Sequence, residues 1–432
     1  MADHRDIFDR RWPGLWETLA SARPPRTVDG PTATPSPTLV LDGIHVTSGT
    51  DRAAEARLQA SAVPPGSRRA WVYGLALGDI PRVLLSRPEL ERLDVVILSP
   101  AAAYLSLTRF DHRDWIEDGR VEVSVANVES RLCTPFAVAP ACLKLAAPEA
   151  LRLRDAVMLA LAAPYQLEHL AGLAKVLEAR VAANRPLIEA DGDVASLFGS
   201  RIGSRAAVVA AGPTLASSFD WLSRHRADLT VIAVSTAVLP LLDHDIEPDL
   251  AVVVDHRPGA RRHVAGLDEE RLAGTPLVYA PTVDPEVLRA WPGPRLAASL
   301  SGQGVASHLG GMRRGELFCS GTVTHVAVDL AVRLGAAEVV LLGVDLCYPG
   351  AFTHVPGAAP RRERVGGALG SVWVVNGHGA RVTTETNMVG YLRDLEEYVA
   401  RHPGVRFVKR GRDGAAIEGV EWLDEDGDDP TP

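Results

Sequence analysis

Apolar residues recur along this chain in two distinct periods. Residues 1–20 place Ile7, Phe8, Trp12, Leu15, Trp16 and Leu19 at helical spacing, which predicts a short amphipathic helix. Prolines then crowd residues 24–37 and exclude regular helix, so this stretch reads as a linker or draped arm. From residue 38 the pattern changes to short apolar runs at 38–42, 71–79, 95–100 and 121–125, with a helical segment over 81–93. Strand, helix and strand in alternation predict a parallel sheet, and 38–146 is set off as a small α/β domain. Residues 147–204 are rich in Ala and Leu, predicting helices over 151–163 and 166–184 and thus a helical connector.

The strand pattern returns more clearly over 205–422, with buried runs at 206–211, 230–234, 250–255, 276–280 and 338–343. A helix over 324–334 precedes the last of these; a helix over 387–401 and a strand over 405–408 close the pattern, and 423–432 is an acidic tail. The predicted fold class is α/β, with two Rossmann-like parallel-sheet domains joined by the helical connector. Each strand of the second domain ends in a small or polar residue, where open α/β sheets place their ligand sites.

Composition narrows the function. The 432 residues hold 45 basic and 54 acidic side chains, a net charge of −9, which argues against a nucleic-acid partner. Only Lys144, Lys175 and Lys409 are lysines; the scattered arginines read as codon bias. No apolar run approaches the roughly 18 residues of a membrane span, and the polar opening Met1-Ala2-Asp3-His4-Arg5 shows no signal-peptide core. The four cysteines form no CxxC pair, so a reduced, cytoplasmic protein is expected.

Five constellations could carry chemistry. Gly212-Pro213-Thr214 follows a buried strand, where a glycine admits a ligand to the backbone and hydroxyls at a helix start suit phosphate; an ordinary βα turn has the same spacing. Ser320-Gly321-Thr322 enters a helix and reads either as an anion site or as a plain N-cap. Asp345 stands just past a strand end, where a carboxylate typically grips a ribose or sugar hydroxyl. Among the histidines, His354 is placed to act as a base, and His378 less so; Asp255-His256 has no further ligands at metal-site spacing, and no metal site is assigned. The Tyr73-Gly74 to Gly78-Asp79 loop resembles the first glycine loop of methyltransferase-type sheets, but the next strand closes on Ser99-Pro100 without an acidic residue.

The order of these motifs resembles the motility-associated factor (Maf) glycosyltransferases. It runs GPT-L after a strand, Ser320 to Ala327 before a helix, then Leu342-Gly343-Val344-Asp345-Leu346-Cys347-Tyr348 and Thr353-His354-Val355. Segments 375–384, 414–421 and 74–79 agree, so the resemblance covers most of 40–422. The central domain also resembles archaeal 6-hydroxymethylpterin diphosphokinases (MptE-like) and, more distantly, bacterial CMP-sialyltransferases through the GP loop, the Ser-Gly helix start and the G-x-D-x-x-Y turn ending at Tyr348.

The Maf resemblance implies transfer of a nonulosonic acid, of pseudaminic or legionaminic type, from its CMP-activated form to Ser or Thr of flagellin or another surface protein. It implies that Gly212, Pro213 and Thr214 approach the CMP phosphate, and that Ser320, Gly321 and Thr322 bind phosphate or the sugar carboxylate. Asp345, with Asp255 and Tyr348, would hold the nucleotide or sugar, and His354 would be the base. No cofactor is then required. Two features depart from the pattern: Thr214 replaces the usual Ser, and Ala211 stands where the sialyltransferases have Asn. The chain is also shorter than typical Maf proteins, without a separate C-terminal acceptor-binding domain. The competing readings are an ATP-dependent diphosphokinase, needing Mg²⁺ held by Asp255 and Asp345, and a non-catalytic nucleotide-binding relative.

Overall fold

The computed structural model describes residues 4–301, 313–359, 362 and 372–423, so the predicted acidic tail from Asp424 lies outside the described residues. The chain divides into two compact units, Met1–Pro164 and Tyr165–Pro432.

In the first unit the expected N-terminal helix is two helices, α1 (Arg5–Arg11) and α2 (Leu15–Ala20), broken where Pro13 meets Gly14 at φ 81°. Their apolar face, Phe8, Trp12, Trp16 and Leu19, is buried. The proline-rich arm contributes Val28–Asp29 to a small antiparallel sheet with Val40–Leu41 and Ile44–His45. Then β1 (Arg69–Tyr73), α3 (Asp79–Leu85), β2 (Arg92–Ile97), β3 (Val121–Val125) and β4 (Phe136–Val138) follow. The sheet order is β3-β2-β1-β4, with every pair parallel. Helix α3 stops short of the predicted 81–93 because Pro88 disfavours helical backbone at the residue before it.

A buried imidazole anchors this unit. Trp115 Nε1 donates to His112 Nδ1 at 3.0 Å, so Nε2 carries the proton and faces Ser106 Oγ at 3.0 Å. The His112 backbone N–H in turn donates to His4 Nε2 at 2.9 Å. Burial pushes the His112 pKa down to about 3.

The connector forms one 40-residue helix, α4 (Leu151–Ala190), where the sequence predicts two. The second unit then builds β5 (Gly192–Asp193), β6 (Arg205–Val209), β7 (Leu229–Val234), β8 (Leu250–Val253), β9 (Leu277–Tyr279), β10 (Arg295–Ala297), β11 (Glu338–Leu342), β12 (Arg406–Lys409) and β13 (Glu421–Trp422). Their order is β13-β12-β11-β6-β7-β8-β9-β10-β5, parallel throughout. Strands β7, β8 and β11 are buried along their whole length, which is why they read as continuous apolar runs. From β6 the strands march one way to β10; β11 then returns to the other flank of β6. That reversal is the topological switch point, and open sheets of this kind bind ligands outside the strand ends there.

Three further helices matter for the site. A 3₁₀ turn, Pro213–Ser217, leads into α5 (Phe219–His225). Helix α6 (Val323–Leu334) is capped by Thr322 and closed by Gly335 at φ 99°. It packs on β6, β7, β8 and β11 and runs directly into β11, so its first turn lies at the carboxyl edge of the sheet. Helix α7 (Thr386–Ala400) presents Leu392, Leu395 and Val399 to the core. No helix among the described residues is long and apolar enough to cross a membrane.

Candidate functional site

At the switch point the sheet continues past its strands. Ala210 N–H donates to Leu342 O at 2.8 Å and Gly212 N–H to Gly343 O at 2.9 Å, fastening the loop after β6 to the loop after β11. A Cβ on Gly212 would lie 2.4 Å from Gly343 O and 2.5 Å from Asp345 Oδ2, so only glycine fits this close approach.

Asp345 is 4% exposed, and its carboxylate is turned inward. Oδ2 accepts the Thr214 N–H at 2.9 Å, and Oδ1 accepts the Thr214 hydroxyl. Lys409, 1% exposed at the end of β12, stands across Gly414: a Cβ there would lie 2.8 Å from Asp345 Oδ1 and 3.0 Å from Lys409 Nζ. Lys409 Nζ also donates to Ala415 O at 2.7 Å. Burial pulls the Lys409 pKa down to about 8 against the opposing charge of Asp345. Burial raises the Asp345 pKa, and the Lys409 charge and Thr214 bonds resist it. The N–H and hydroxyl of Thr214 both bond to Asp345, and the Asp345 carboxylate faces the inside of the loop. Gly212 and Pro213, half-exposed, form the outer surface of that loop.

The chain after Asp345 is tied back at several points. Thr384 Oγ1 donates to Leu346 O at 2.8 Å, Tyr348 N–H to Thr383 O at 2.9 Å, and Val355 N–H to Ala211 O at 2.9 Å. The last bond sets His354 beside the Gly212 loop. Its ring Nδ1 meets Thr353 Oγ1 at 2.9 Å, and burial, with the Arg362 charge, lowers its pKa. Segments 375–384 and 414–421 also meet, through Ala416 N–H to Val375 O at 2.8 Å. His378 is exposed and lies 3.4 Å from Asp413.

Ser320, Gly321 and Thr322 stand at the start of α6 on the same edge. Ser320 Oγ donates to Asp394 Oδ2 at 2.5 Å, and Ser320 N–H to His325 Nδ1 at 3.2 Å. His325 Nε2 therefore donates to Tyr391 O at 2.9 Å, and this ring is structural. Gly321, at φ 90°, is exposed with Tyr391 against it; a Cβ there would lie 2.6 Å from Tyr391 Cε1.

Beyond β8, Asp255 holds Arg257 in a fork: Arg257 Nε reaches Oδ1 at 2.9 Å and Nη2 reaches Oδ2 at 2.8 Å. Burial opposes the charge on Asp255, but the Arg257 bonds outweigh it and the carboxyl sits below its ordinary range. The Arg257 side chain is 75% exposed and close enough to Tyr391 for each to bias the other's ionisation.

Several of these residues do not announce themselves in sequence. Lys409, Arg257, Asp394 and Tyr391 enter the site only through the fold, as do His263 and Ser235, which meet at 3.0 Å. The usable signal was position: Ser235, Asp255 and Lys409 each stand at or just past the end of an apolar strand. Among the described residues no group of three or more His, Cys, Asp or Glu is placed to hold a metal ion.

Residues 181–351 match the family model described as 6-hydroxymethylpterin diphosphokinase MptE-like. That match spans β5 to β11 and includes the Gly212, Asp255, Ser320 and Asp345 loops. No curated protein matches the chain. A solved structure, that of the MAf glycosyltransferase from Magnetospirillum magneticum AMB-1, aligns at a TM-score of 0.45 and 17% identity, over 97% of this chain and 73% of that one.

Proposed function

We propose that this protein is a glycosyltransferase that moves a nonulosonic acid of pseudaminic or legionaminic type from its CMP-activated form to a Ser or Thr hydroxyl of flagellin or another protein. The observation that carries the reading is the convergence at one sheet edge. The Gly212 loop, the Ser320–Thr322 helix start, the Asp255–Arg257 fork and His354 all border the switch-point crevice. The motif order that resembles the Maf family supplies the donor and acceptor classes.

Transfer of this kind needs a seat for the departing phosphate and an acceptor for the hydroxyl proton. The first turn of α6 and the Arg257 guanidinium supply fixed positive ends for a departing phosphate. Gly212 and Pro213 let the nucleotide approach the sheet edge. Tyr348 and Asp255 act through the loops they hold. His354, kept neutral by burial, is the residue the resemblance offers as base.

A second reading, an ATP-dependent diphosphokinase, is favoured by the name of the family whose model matches 181–351. Its magnesium would need free carboxylates. Asp255 is engaged by Arg257 and Asp345 by Thr214, so these residues as arranged do not fit that ion.

Thermal unfolding with CMP, CTP and ATP, each with and without Mg²⁺, separates the readings. A ligand at about 100 times its Kd adds roughly 2.7 kcal/mol, or about 5 °C in a unit of this size. Stabilisation by cytidine nucleotides without metal supports the transferase; stabilisation by ATP only with Mg²⁺ favours the diphosphokinase and refutes it.

A further inference from the structure

The crevice has a second imidazole. His263 ends the 3₁₀ segment Pro258–His263 that follows β8, and Ser235 stands immediately after β7. The two side chains are 7% and 6% exposed, and Ser235 Oγ meets His263 Nδ1 at 3.0 Å. The other ring nitrogen, Nε2, has no hydrogen-bond partner among the described residues and is not sealed off from solvent. A ring nine-tenths buried, gripped at one nitrogen and open at the other, is built to present that second nitrogen.

Its surroundings fit proton transfer. His354, Asp255 and Arg257 are the charged or titratable groups near enough to bias it. Burial keeps the ring neutral, with the His354 and Arg257 charges working the same way and Asp255 opposing them. Neutral imidazole is the form that accepts a proton, and Asp255 is placed to steady the imidazolium that results. In the tautomer the proposal requires, Nδ1–H donates to Ser235 Oγ, which also accepts, and the lone pair sits on Nε2. His354 lies on a different loop, with Nδ1 at Thr353 Oγ1, which also accepts the Arg362 N–H at 3.2 Å.

We propose that His263, oriented by Ser235, is the residue whose Nε2 takes the proton from the attacking hydroxyl, with His354 positioning the acceptor across the crevice. This rests on the transferase reading. The acceptor oxygen bonds to the anomeric carbon as that carbon's bond to the nucleotide phosphate breaks. The bonding pair leaves on the phosphate oxygen, and the hydroxyl proton passes to Nε2. His263 is then a catalytic residue and Ser235 a positioning residue.

Two measurements on the full chain test it. The first is carbethoxylation by diethyl pyrocarbonate, read by peptide mass spectrometry with and without CMP. His263 should react at least tenfold faster than the sealed His112, and saturating CMP should slow it at least fivefold. Reaction at the His112 rate, or no protection by CMP under conditions where CMP raises the melting temperature, overturns the proposal. The second is transfer from a CMP-activated sugar by His263→Gln, His354→Gln and Ser235→Ala. His263→Gln should lose at least 100-fold in kcat, keep CMP binding, and lose the acidic limb of the pH–rate profile. Ser235→Ala should keep that limb and displace it, a change that loss of packing alone would not produce. Loss of the limb in His354→Gln with His263→Gln within threefold of wild type assigns the proton elsewhere and refutes the proposal. A wild type that binds CMP and protects His263 yet transfers no sugar refutes the transferase reading, and the proton step with it.

Discussion

The buried pair of Asp345 and Lys409 makes a quantitative claim. Lys409→Met removes the ammonium and keeps much of its length, leaving Asp345 in a site only 4% exposed with the Thr214 donors alone. Lys409 and Asp345 make no direct ion pair, so losing the ammonium that faces the buried carboxylate costs about 1–3 kcal/mol. The unit has about 270 residues, for which the unfolding entropy is roughly 0.6 kcal/mol/K. Its melting temperature should therefore fall by roughly 2–5 °C, measured by calorimetry on the full chain and checked by urea unfolding at constant m. The double variant Lys409→Met/Asp345→Asn removes both charges and should recover at least half of the loss, because no charge remains buried. The pH dependence has a definite sign. The folded pKa of about 8 lies below the ordinary lysine value of 10.5. Between these values the unfolded chain binds more protons, so wild-type stability relative to Lys409→Met rises with pH across that window, by about 1.4 kcal/mol per unit at most. A Lys409→Met loss below about 1 kcal/mol, with the double variant equal to the sum of the singles, would refute the coupling.

Other consequences are as direct. Gly212→Ala, whose φ of −64° carries no penalty, should still cost about 1–3 kcal/mol in a melt, because its methyl meets Gly343 O and Asp345. Thr214→Val should cost about 1.5–3 kcal/mol by removing a donor to a carboxylate, whereas Thr214→Ser should cost less than about 1 kcal/mol; equal losses would show that the hydroxyl is not what matters. His112 has a folded pKa of about 3 against an ordinary 6.5, so the unfolded state binds more protons between those values. The stability of the first unit should fall as pH drops through that window, by up to about 1.4 kcal/mol per unit, and His112→Asn should flatten the slope in acid titrations followed by near-UV circular dichroism.

Much of the second sheet is legible because its strands are buried on both faces. Runs such as 206–210 and 230–234 leave no other reading, and α6 carries both of its own boundary signals, Thr322 and Gly335. The short strands were not legible. Phe136–Val138 and Gly192–Asp193 are too brief for a period to register and exist only through their neighbours. Loop positions at the strand ends could be named from sequence, but the direction of their side chains could not. Thr214 and Asp345 are 131 residues apart, and nothing local says that they bond to each other. Lys409 is the instructive miss. It is one of three lysines in an arginine-rich chain and ends an apolar strand, a place where a flexible ammonium reaches inward more readily than a planar guanidinium.

Residues 4–20 carry a consequence for synthesis. His4 Nδ1 bonds to Leu107 O at 2.7 Å, Arg11 Nη2 to Val121 O at 2.7 Å, and the Trp16 ring packs on Tyr104 with centroids 5.5 Å apart. Every one of these partners is translated roughly a hundred residues later. At about 5–20 residues per second the ribosome leaves α1 and α2 waiting for roughly 5–20 s with Phe8, Trp12 and Trp16 unburied. Over that interval the nascent chain shows chaperones an aromatic amphipathic segment, and how fast translation proceeds through the codons for residues 20–120 governs how long it stays open to them.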